Sequence, residues 1–326
     1  MNLPASIRSM TWRKIRQSDF FVALLCAAWI AGTAPWTPDL LTPANLHNLL
    51  LNLLPLLILA TGQTLVLIAG GIDLSMTAVI GLAGVTGAFA MNGDTGWLAG
   101  NPWAPYAGIA ITGLVGAGVG AANGAAIGAG RMPPFMVTLT SMMFFGGLAV
   151  WLTQSRPIGN LPGVFTRFGA NSISAGVLTL LVAGGAHLML TRTVFGHRLH
   201  ALGHNPRAAV VAGVPVRRMW ITVYVLSGLC AALAAILYAG RLETASPVTG
   251  QRVLLDVIGA SVIGGASLYG GRGRITGTAL GALFLTLIDN SLNLLNLSHF
   301  TIMMVKGGVI LLAAGLDAGR HRGRSP

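Results

Sequence analysis

Few residues in this chain could do chemistry, because charged side chains make up only 9% of its 326 residues. The two lysines, Lys14 and Lys306, do not follow a G-x-x-x-x-G pattern, so the chain lacks the phosphate-binding loop of a nucleotide hydrolase. Glu243 is the only glutamate, and neither the histidines nor the two cysteines have the spacing of metal ligands. The sequence therefore disfavours an enzyme and predicts no cofactor within this chain.

Asp73 lies between two apolar stretches, where a charge needs an explanation. An isolated carboxylate at membrane depth costs ~2.5–3.5 kcal/mol or more. Asp73 could cap the helix that follows, because free N–H groups and the positive end of the helix dipole would meet its charge. It could also belong to a broken helix that lines a substrate path, as in many transporters. Both interpretations stay open, and they are compatible.

Three further charges, Asp256, Asp289 and Lys306, also fall within apolar stretches. Asp289 and Lys306 lie on successive predicted helices joined by a short turn. An ion pair between them would relieve the cost of burying both charges. We therefore expect a structural pair and disfavour a proton relay.

Uncharged hydrogen-bonding side chains within the apolar stretches could line a path for a hydroxyl-rich solute, which amides and hydroxyls suit better than charges do. The alternative for each such side chain is a hydrogen bond between two helices. The candidates for the path, with Asp73 included, are Gln63, Thr64, Asp73, Ser75, Asn123 and Asn290.

The longest polar interval is residues 192–218, which carry five arginines, three histidines and no acid. Asn205 and Pro206 predict the start of a short helix over 206–211, because asparagine favours the capping position and proline the first turn. The interval is also longer than a connection between two spans requires. It is either a docking segment for a partner or a plain connection.

The elements that position these residues follow from the composition. The chain is 54% hydrophobic, contains 45 glycines and has a mean hydropathy of +0.73, which is typical of a helical integral membrane protein. Its apolar stretches have the length that a helix needs to cross a bilayer, and they do not alternate in polarity as barrel strands do. The net charge of +12 does not indicate nucleic acid, because the basic residues cluster at the ends of apolar stretches.

Ten membrane spans are predicted within one transmembrane domain, residues 20–318. The first could instead be a signal peptide with a cleavage site near Gly32 and Ala34, but a retained span is favoured. Glycines at 116, 120, 124 and 128 predict a helix face against which another backbone packs closely. The predicted spans are 20–36, 46–69, 73–91, 105–130, 133–153, 173–190, 219–240, 254–269, 275–297 and 301–318.

An even number of spans puts both termini on the same side of the membrane. That side then collects fifteen basic residues, and the other side collects four, with Lys306 inside a span. Because cytoplasmic segments carry the excess of lysine and arginine, the N-terminal segment 1–19, the interval 191–218 and the tail 319–326 are predicted to be cytoplasmic.

Four stretches carry a resemblance to a known family. They are ATGQTLVLIAGGIDLSMTAVIGLAGV at 60–85, ANGAAIGAGRMPPFMVTLTSM at 122–142, GHRLHALGHNPRAAVVAGVPV at 196–216 and LDVIGASVIGGASLYGGRG at 255–273. In this order they resemble the permeases of bacterial ATP-binding-cassette importers for ribose, arabinose, xylose and galactofuranose, within the branched-chain amino acid and sugar permease superfamily. The resemblance extends from about residue 46 to 317.

The resemblance implies a type II-like all-α permease in the bacterial inner membrane that moves a monosaccharide or similar small polar solute by alternating access. It implies cytoplasmic ATPase subunits that bind ATP and Mg²⁺, a periplasmic solute-binding protein, and a second permease copy, identical or related. The rival interpretation is a self-contained secondary transporter or channel. The expected partners include membrane lipid but not nucleic acid. The residues that match the family's ATPase-coupling pattern are Gly203, Asn205, Pro206, Arg207, Ala208, Ala209 and Gly213.

Overall fold

The computed structural model describes residues 19–322, with side chains as far as residue 315. The predicted cytoplasmic segment before Asp19 and the side chains of the predicted tail lie outside the described residues. Within 19–322 the chain is all-α, as predicted, and its β pairing is a single isolated bridge between Ile158 and Ala245.

Thirteen α-helices follow one another along the described chain. Short 3₁₀ turns cover Ala34–Trp36, Pro38–Leu41 and Thr249–Arg252. The α-helices are α1 Asp19–Thr33, α2 Pro43–Ala69, α3 Met76–Met91, α4 Ala104–Gly128, α5 Pro134–Thr153, α6 Gly163–Ala170, α7 Ser172–Arg192, α8 Val194–His204, α9 Pro206–Val211, α10 Val216–Leu242, α11 Leu254–Ile263, α12 Ile275–Leu294 and α13 His299–Arg322.

Seven of these helices are long and apolar enough to cross a membrane: α1 with the turn after it, α2, α4, α5, α7, α10 and α12. The three other predicted spans correspond to shorter apolar helices, namely α3, α11 and residues 299–315 of α13. The span predicted over 254–269 is too long, because α11 ends at Ile263 and the chain turns at Gly265, whose φ is +92°. That the chain crosses the membrane ten times stays a prediction.

Helix α2 lies at the centre of the bundle, with 83% of its apolar window buried. Beside it, α4 and α10 pack through the predicted glycine face. A side chain at Gly120 would overlap the Tyr224 carbonyl oxygen, and one at Gly116 would overlap that of Gly228. The glycines therefore let two backbones approach as expected.

Helix α1 packs along α12. The Trp29 indole N–H donates to the Ser291 hydroxyl at 2.9 Å, and its ring meets Phe284 edge-on. At the other end, Asp19 lies 3.4 Å from Arg274. Helix α1 therefore contacts α12 near both of its ends, and its retention as a span stays a prediction.

Two predicted loops contain helices. The connection from 154 to 171 includes α6, and the interval 191–218 consists largely of α8 and α9. Helix α8 forms because Leu199 and Leu202, spaced for one helical face, are both fully buried. The interval is thus a packed element and not an open loop.

Candidate transport and coupling sites

Residues 70–75, which we call the break, interrupt the helical path between α2 and α3. Helix α2 ends at Gly70, which adopts a left-handed φ of +88° and donates its N–H to the Leu67 carbonyl at 2.9 Å. The next residue, Gly71, lies so close to Tyr224 that a Cβ atom would stand 2.8 Å from the tyrosine hydroxyl. Residues 71–75 therefore run inside the protein, and α3 begins only at Met76.

Asp73 is buried in this break, with 2% of its surface exposed. Its Oδ1 accepts hydrogen bonds from the backbone N–H of Ser75 at 2.9 Å and from the Ser75 hydroxyl at 2.6 Å. Its Oδ2 accepts from the Ser227 hydroxyl of α10 at 2.6 Å. Three donors thus compensate the lost hydration of the carboxylate, and they tie the break to α10.

The predicted capping role of Asp73 is wrong in register. The N-cap of α3 is Ser75, whose side chain makes no capping hydrogen bond to the helix. Asp73 precedes that position by two residues, because the chain has not yet entered the helix at Leu74. Its carboxylate holds the turn before the helix through the Ser75 N–H, and it also interacts with the backbone N–H of Met76, the first residue of α3.

The network around Asp73 continues to α4 and α5. The Asn123 side-chain amide donates to the Ser75 hydroxyl oxygen at 2.8 Å, and the Ser141 hydroxyl donates to the Asn123 side-chain oxygen. Two of the predicted path residues, Ser75 and Asn123, therefore join Asp73 in one buried polar network. No local pattern pointed to Ser141 or Ser227, because each lies on a distant helix among apolar residues.

The break is also held through its backbone. The Ile72 carbonyl oxygen accepts from the Thr138 hydroxyl at 3.0 Å and from the Tyr224 hydroxyl at 3.3 Å. These donors lie on α5 and α10. Side chains of two helices thus fix a peptide unit that has no helical partner.

Gln63 is the exception among the buried polar side chains. It is fully buried on α2, and neither its side-chain nitrogen nor its oxygen has a hydrogen-bond partner among the described residues. The adjacent Gly62 packs on Ser227, with 3.2 Å between the Cβ position of the glycine and the serine Cα, so Gln63 lies at the depth of the Asp73 network. An unused amide at this depth is the kind of group that calls for a functional explanation.

The two other predicted path residues join helices to each other. The hydroxyls of Thr64 and Thr278 lie 2.7 Å apart, which links α2 to α12. Asn290 and Asn45 exchange two amide hydrogen bonds, each of 2.8 Å. Both residues match the alternative given for them from the sequence.

An ion cluster joins three helices. The ammonium nitrogen of Lys306 lies 3.0 Å from an Asp289 oxygen, which confirms the expected pair, and 2.9 Å from an Asp256 oxygen, which adds a second acid. The side chains of Lys306 and Asp256 are 12% and 18% exposed, and that of Asp289 is 45% exposed. The cluster holds α13 to α11 and α12.

Helix α9 is the predicted short helix, and Asn205 caps it as expected. The Asn205 side-chain oxygen accepts from the backbone N–H groups of Arg207 and Ala208 at 3.0 and 3.1 Å. Arg207 and Ala208 are exposed, whereas Ala209 is only 2% exposed and seats the helix on the protein. Gly213 follows the helix with a φ of +77°.

Gly203 does not belong to the same surface. A side chain there would overlap the Ile68 carbonyl oxygen and the backbone nitrogen of Gly271. Of the seven predicted coupling residues, Gly203 and Ala209 thus point into the protein, and the others are exposed.

The comparisons with known proteins agree with this architecture. The sequence profile of the branched-chain amino acid transport system permease components matches residues 45–314. The chain belongs to this permease family. It is 38% identical over 291 residues to the ribose import permease protein of Bacillus subtilis (strain 168), covering 86% of each chain. No solved structure matches it.

Two other relatives cover nearly the whole permease. The ribose import permease protein of Escherichia coli (strain K12) is 34% identical over 318 residues, covering 95% of this chain and 96% of its own. The L-arabinose ABC transporter permease protein of Azospirillum brasilense is 32% identical over 328 residues, covering 98% and 93%. The chain is therefore a multi-pass inner-membrane permease subunit of an ATP-binding-cassette importer, a non-enzymatic transport component that works with ATPase and solute-binding partners.

Proposed function

We propose that this permease imports a monosaccharide or a similar small hydroxyl-rich solute. Its relatives are named for ribose and L-arabinose, and its buried polar network presents amide and hydroxyl groups at the break between α2 and α3. Separate ATPase subunits bind ATP and Mg²⁺ and hydrolyse the nucleotide, since this chain has no phosphate-binding loop. The observation that carries the proposal is the buried break itself, because interrupted helices with polar groups are where transporters bind their cargo.

Gln63 is the leading cargo contact among the path residues. Ser75 and Asn123 already have hydrogen-bond partners, and Thr64 and Asn290 hold helices together. Among the residues that the structure describes, nothing pairs with the donors and the acceptor of the Gln63 amide, and a sugar hydroxyl can serve both. Its burial in this conformation fits alternating access, in which the site closes once the cargo has left.

The Gln63→Leu variant separates cargo binding from packing. Removing an unsatisfied buried amide raises stability or leaves it unchanged, since such a group costs about 1–3 kcal/mol. The same change should lower the rate of uptake at saturating solute by about tenfold, the effect of roughly 1.4 kcal/mol. The matched control is Thr64→Val, which should lower the melting temperature and leave that rate unchanged. Unchanged uptake in Gln63→Leu would remove the residue from the path.

The coupling surface consists of Asn205, Pro206, Arg207, Ala208 and Gly213. We infer that helix α9 docks in a groove of the ATPase subunit, because its outer face is unpartnered within residues 19–322 and Val211 is 91% exposed. The Ala208→Glu variant should lose co-purification with the ATPase while the permease keeps its melting temperature. Ala209→Glu should lose both, because Ala209 is buried.

The permease acts as a pair, either with a second copy of itself or with a related permease. Uptake by the purified importer, reconstituted in vesicles with D-ribose and L-arabinose as probes, tests the whole proposal. Transport should require ATP and persist when ion gradients are collapsed. Full uptake by the permease alone, driven by an ion gradient without ATP, would favour the secondary transporter and refute the proposal.

A further inference from the structure

Three backbone segments meet without intervening side chains at the inner end of α2. A side chain at Gly203, near the end of α8, would overlap the Ile68 carbonyl of α2 and the nitrogen of Gly271. A Cβ atom on Gly270 would stand 2.8 Å from the Gly203 carbonyl oxygen and 2.9 Å from the Gly70 Cα. We call these four residues, Gly70, Gly203, Gly270 and Gly271, the glycine junction.

Hydrogen bonds join the three segments as well. The Gly271 N–H donates to the Ile68 carbonyl oxygen at 2.9 Å, which ties the 270–271 turn to α2. The His200 ring nitrogen Nδ1 lies 3.0 Å from the Gly271 carbonyl oxygen, to which it donates, and this bond ties the same turn to α8. Both turn glycines need their left-handed φ, +86° at Gly270 and +75° at Gly271. The 270–271 turn is therefore hydrogen-bonded to α2 on one side and to α8 on the other.

The junction lies between the coupling helix and the cargo network. On one side α8 runs into Asn205 and α9, the segment that docks on the ATPase in the proposed function. On the other side Gly70 is both the C-cap of α2 and the third residue before Asp73. Contacts between backbones cannot be relieved by a change of rotamer, so a displacement of α8 must move Gly70 or separate the segments.

We propose that Gly203 is a positioning residue that transmits movement of the coupling helix to the Gly70–Ser75 break, and that it does not take part in docking the ATPase. This role rests on the proposed function, because it needs an ATPase subunit on α9. It depends on the absence of a side chain: a methyl group at position 203 forces the three segments apart and loosens the link. The coupling surface, which begins at Asn205, stays intact.

A thiol probe in the break measures this transmission without knowledge of the cargo. Leu74→Cys is introduced after both natural cysteines, which are buried, are changed to alanine. The rate of maleimide labelling is then measured in the assembled importer, with and without trapping by MgATP and vanadate. With Gly203 in place, trapping should change the rate by about fivefold or more, a coupling free energy of about 1 kcal/mol.

In the Gly203→Ala importer, the ATPase subunits should still co-purify and hydrolyse ATP, but trapping should change the labelling rate by less than about twofold. The matched control is Gly185→Ala on α7, where an added Cβ atom meets nothing within 4 Å. A full labelling response in Gly203→Ala, or loss of the ATPase subunits from it, would overturn the proposal. Failure of the unsubstituted permease to hold ATPase subunits would instead refute the proposed function.

A milder variant tests the junction if Gly203→Ala does not fold. His200→Ala removes the hydrogen bond to the Gly271 carbonyl without adding an atom to the glycine junction, and it should at least halve the labelling response. His197→Ala is the control, because His197 lies one turn earlier and its Nδ1 lies 3.0 Å from the Thr193 carbonyl oxygen, at the start of the same helix. Equal responses in the two histidine variants would refute transmission through the junction.

Discussion

Removing the charge of Lys306 tests the ion cluster that joins α11, α12 and α13. The Lys306→Met variant keeps the apolar length of the side chain but leaves Asp256 and Asp289 without their cation. Asp256 should carry most of the cost, because its side chain is 18% exposed whereas that of Asp289 is 45% exposed. We therefore expect a loss of stability that neutralising Asp256 reverses.

The magnitude follows from the contacts. Removing one partner of a buried ion pair costs about 3–5 kcal/mol, while an exposed pair contributes only about 0.2–1 kcal/mol. The cost has a ceiling, since a carboxylate left alone can take up a proton, which for an ordinary aspartate requires about 4 kcal/mol at pH 7 and about 1.5 kcal/mol at pH 5. Lys306→Met should thus lose about 3–4 kcal/mol at pH 7 and about 1.5 kcal/mol at pH 5.

The free energy of unfolding, measured by titrating sodium dodecyl sulfate into the permease in mild detergent, provides the readout. The double variant Lys306→Met/Asp256→Asn should return to within about 1 kcal/mol of the unsubstituted protein, because no charge is left unpaired on α11. Asp289→Asn alone should cost about 1 kcal/mol or less. If Lys306→Met unfolds no more easily than the double variant, the unpaired Asp256 carboxylate carries no cost and this reasoning is wrong.

Two further substitutions test the packing of the helices and the coupling helix. Gly120→Ala should destabilise the permease by about 1–3 kcal/mol, because the added methyl group overlaps the Tyr224 carbonyl oxygen. Gly113→Ala, whose added Cβ atom meets no neighbour within 4 Å, should be neutral or slightly stabilising. Equal melting temperatures of the two variants in thermal unfolding would argue against the glycine face. Asn205→Ala should lower the stability of the permease by about 1 kcal/mol, because the capping bonds are lost, and it should weaken co-purification with the ATPase. Asn205→Asp should preserve the stability and the co-purification. An undiminished yield of complex from the alanine variant would contradict the role of the cap.

Local signals were sufficient for much of the architecture. The apolar stretches predicted the long helices. Glycines spaced four residues apart predicted the face between α4 and α10, and Asn205-Pro206 predicted the start of α9. Each signal acts within a few residues, through burial of one helix face, close backbone approach or a capping bond. The family could be identified for a related reason, since its motifs are contiguous.

The sequence could not supply the partners of its polar residues. Asp73 was predicted to cap a helix, yet its carboxylate is held by Ser227, 154 positions away. Gly203 was grouped with the coupling surface, because a glycine next to a helix start looks the same whether it faces out or in. Only its close contact with the Gly271 backbone shows that Gly203 faces the interior of the protein. In both cases the position along the chain was known but the facing element was not.

The amino-acid sequence by itself determined that this chain is a helical membrane permease, and it predicted which apolar stretches form its long helices. The tertiary structure alone decided that Gln63 has no hydrogen-bond partner within residues 19–322, that Asp256 joins the ion pair, and that the coupling segment contacts the break through backbone atoms. Helix formation depends on neighbours within one or two turns, which a sequence displays directly. Hydrogen bonds and ion pairs depend on which helices lie side by side, and that choice is made by the packing of the whole bundle.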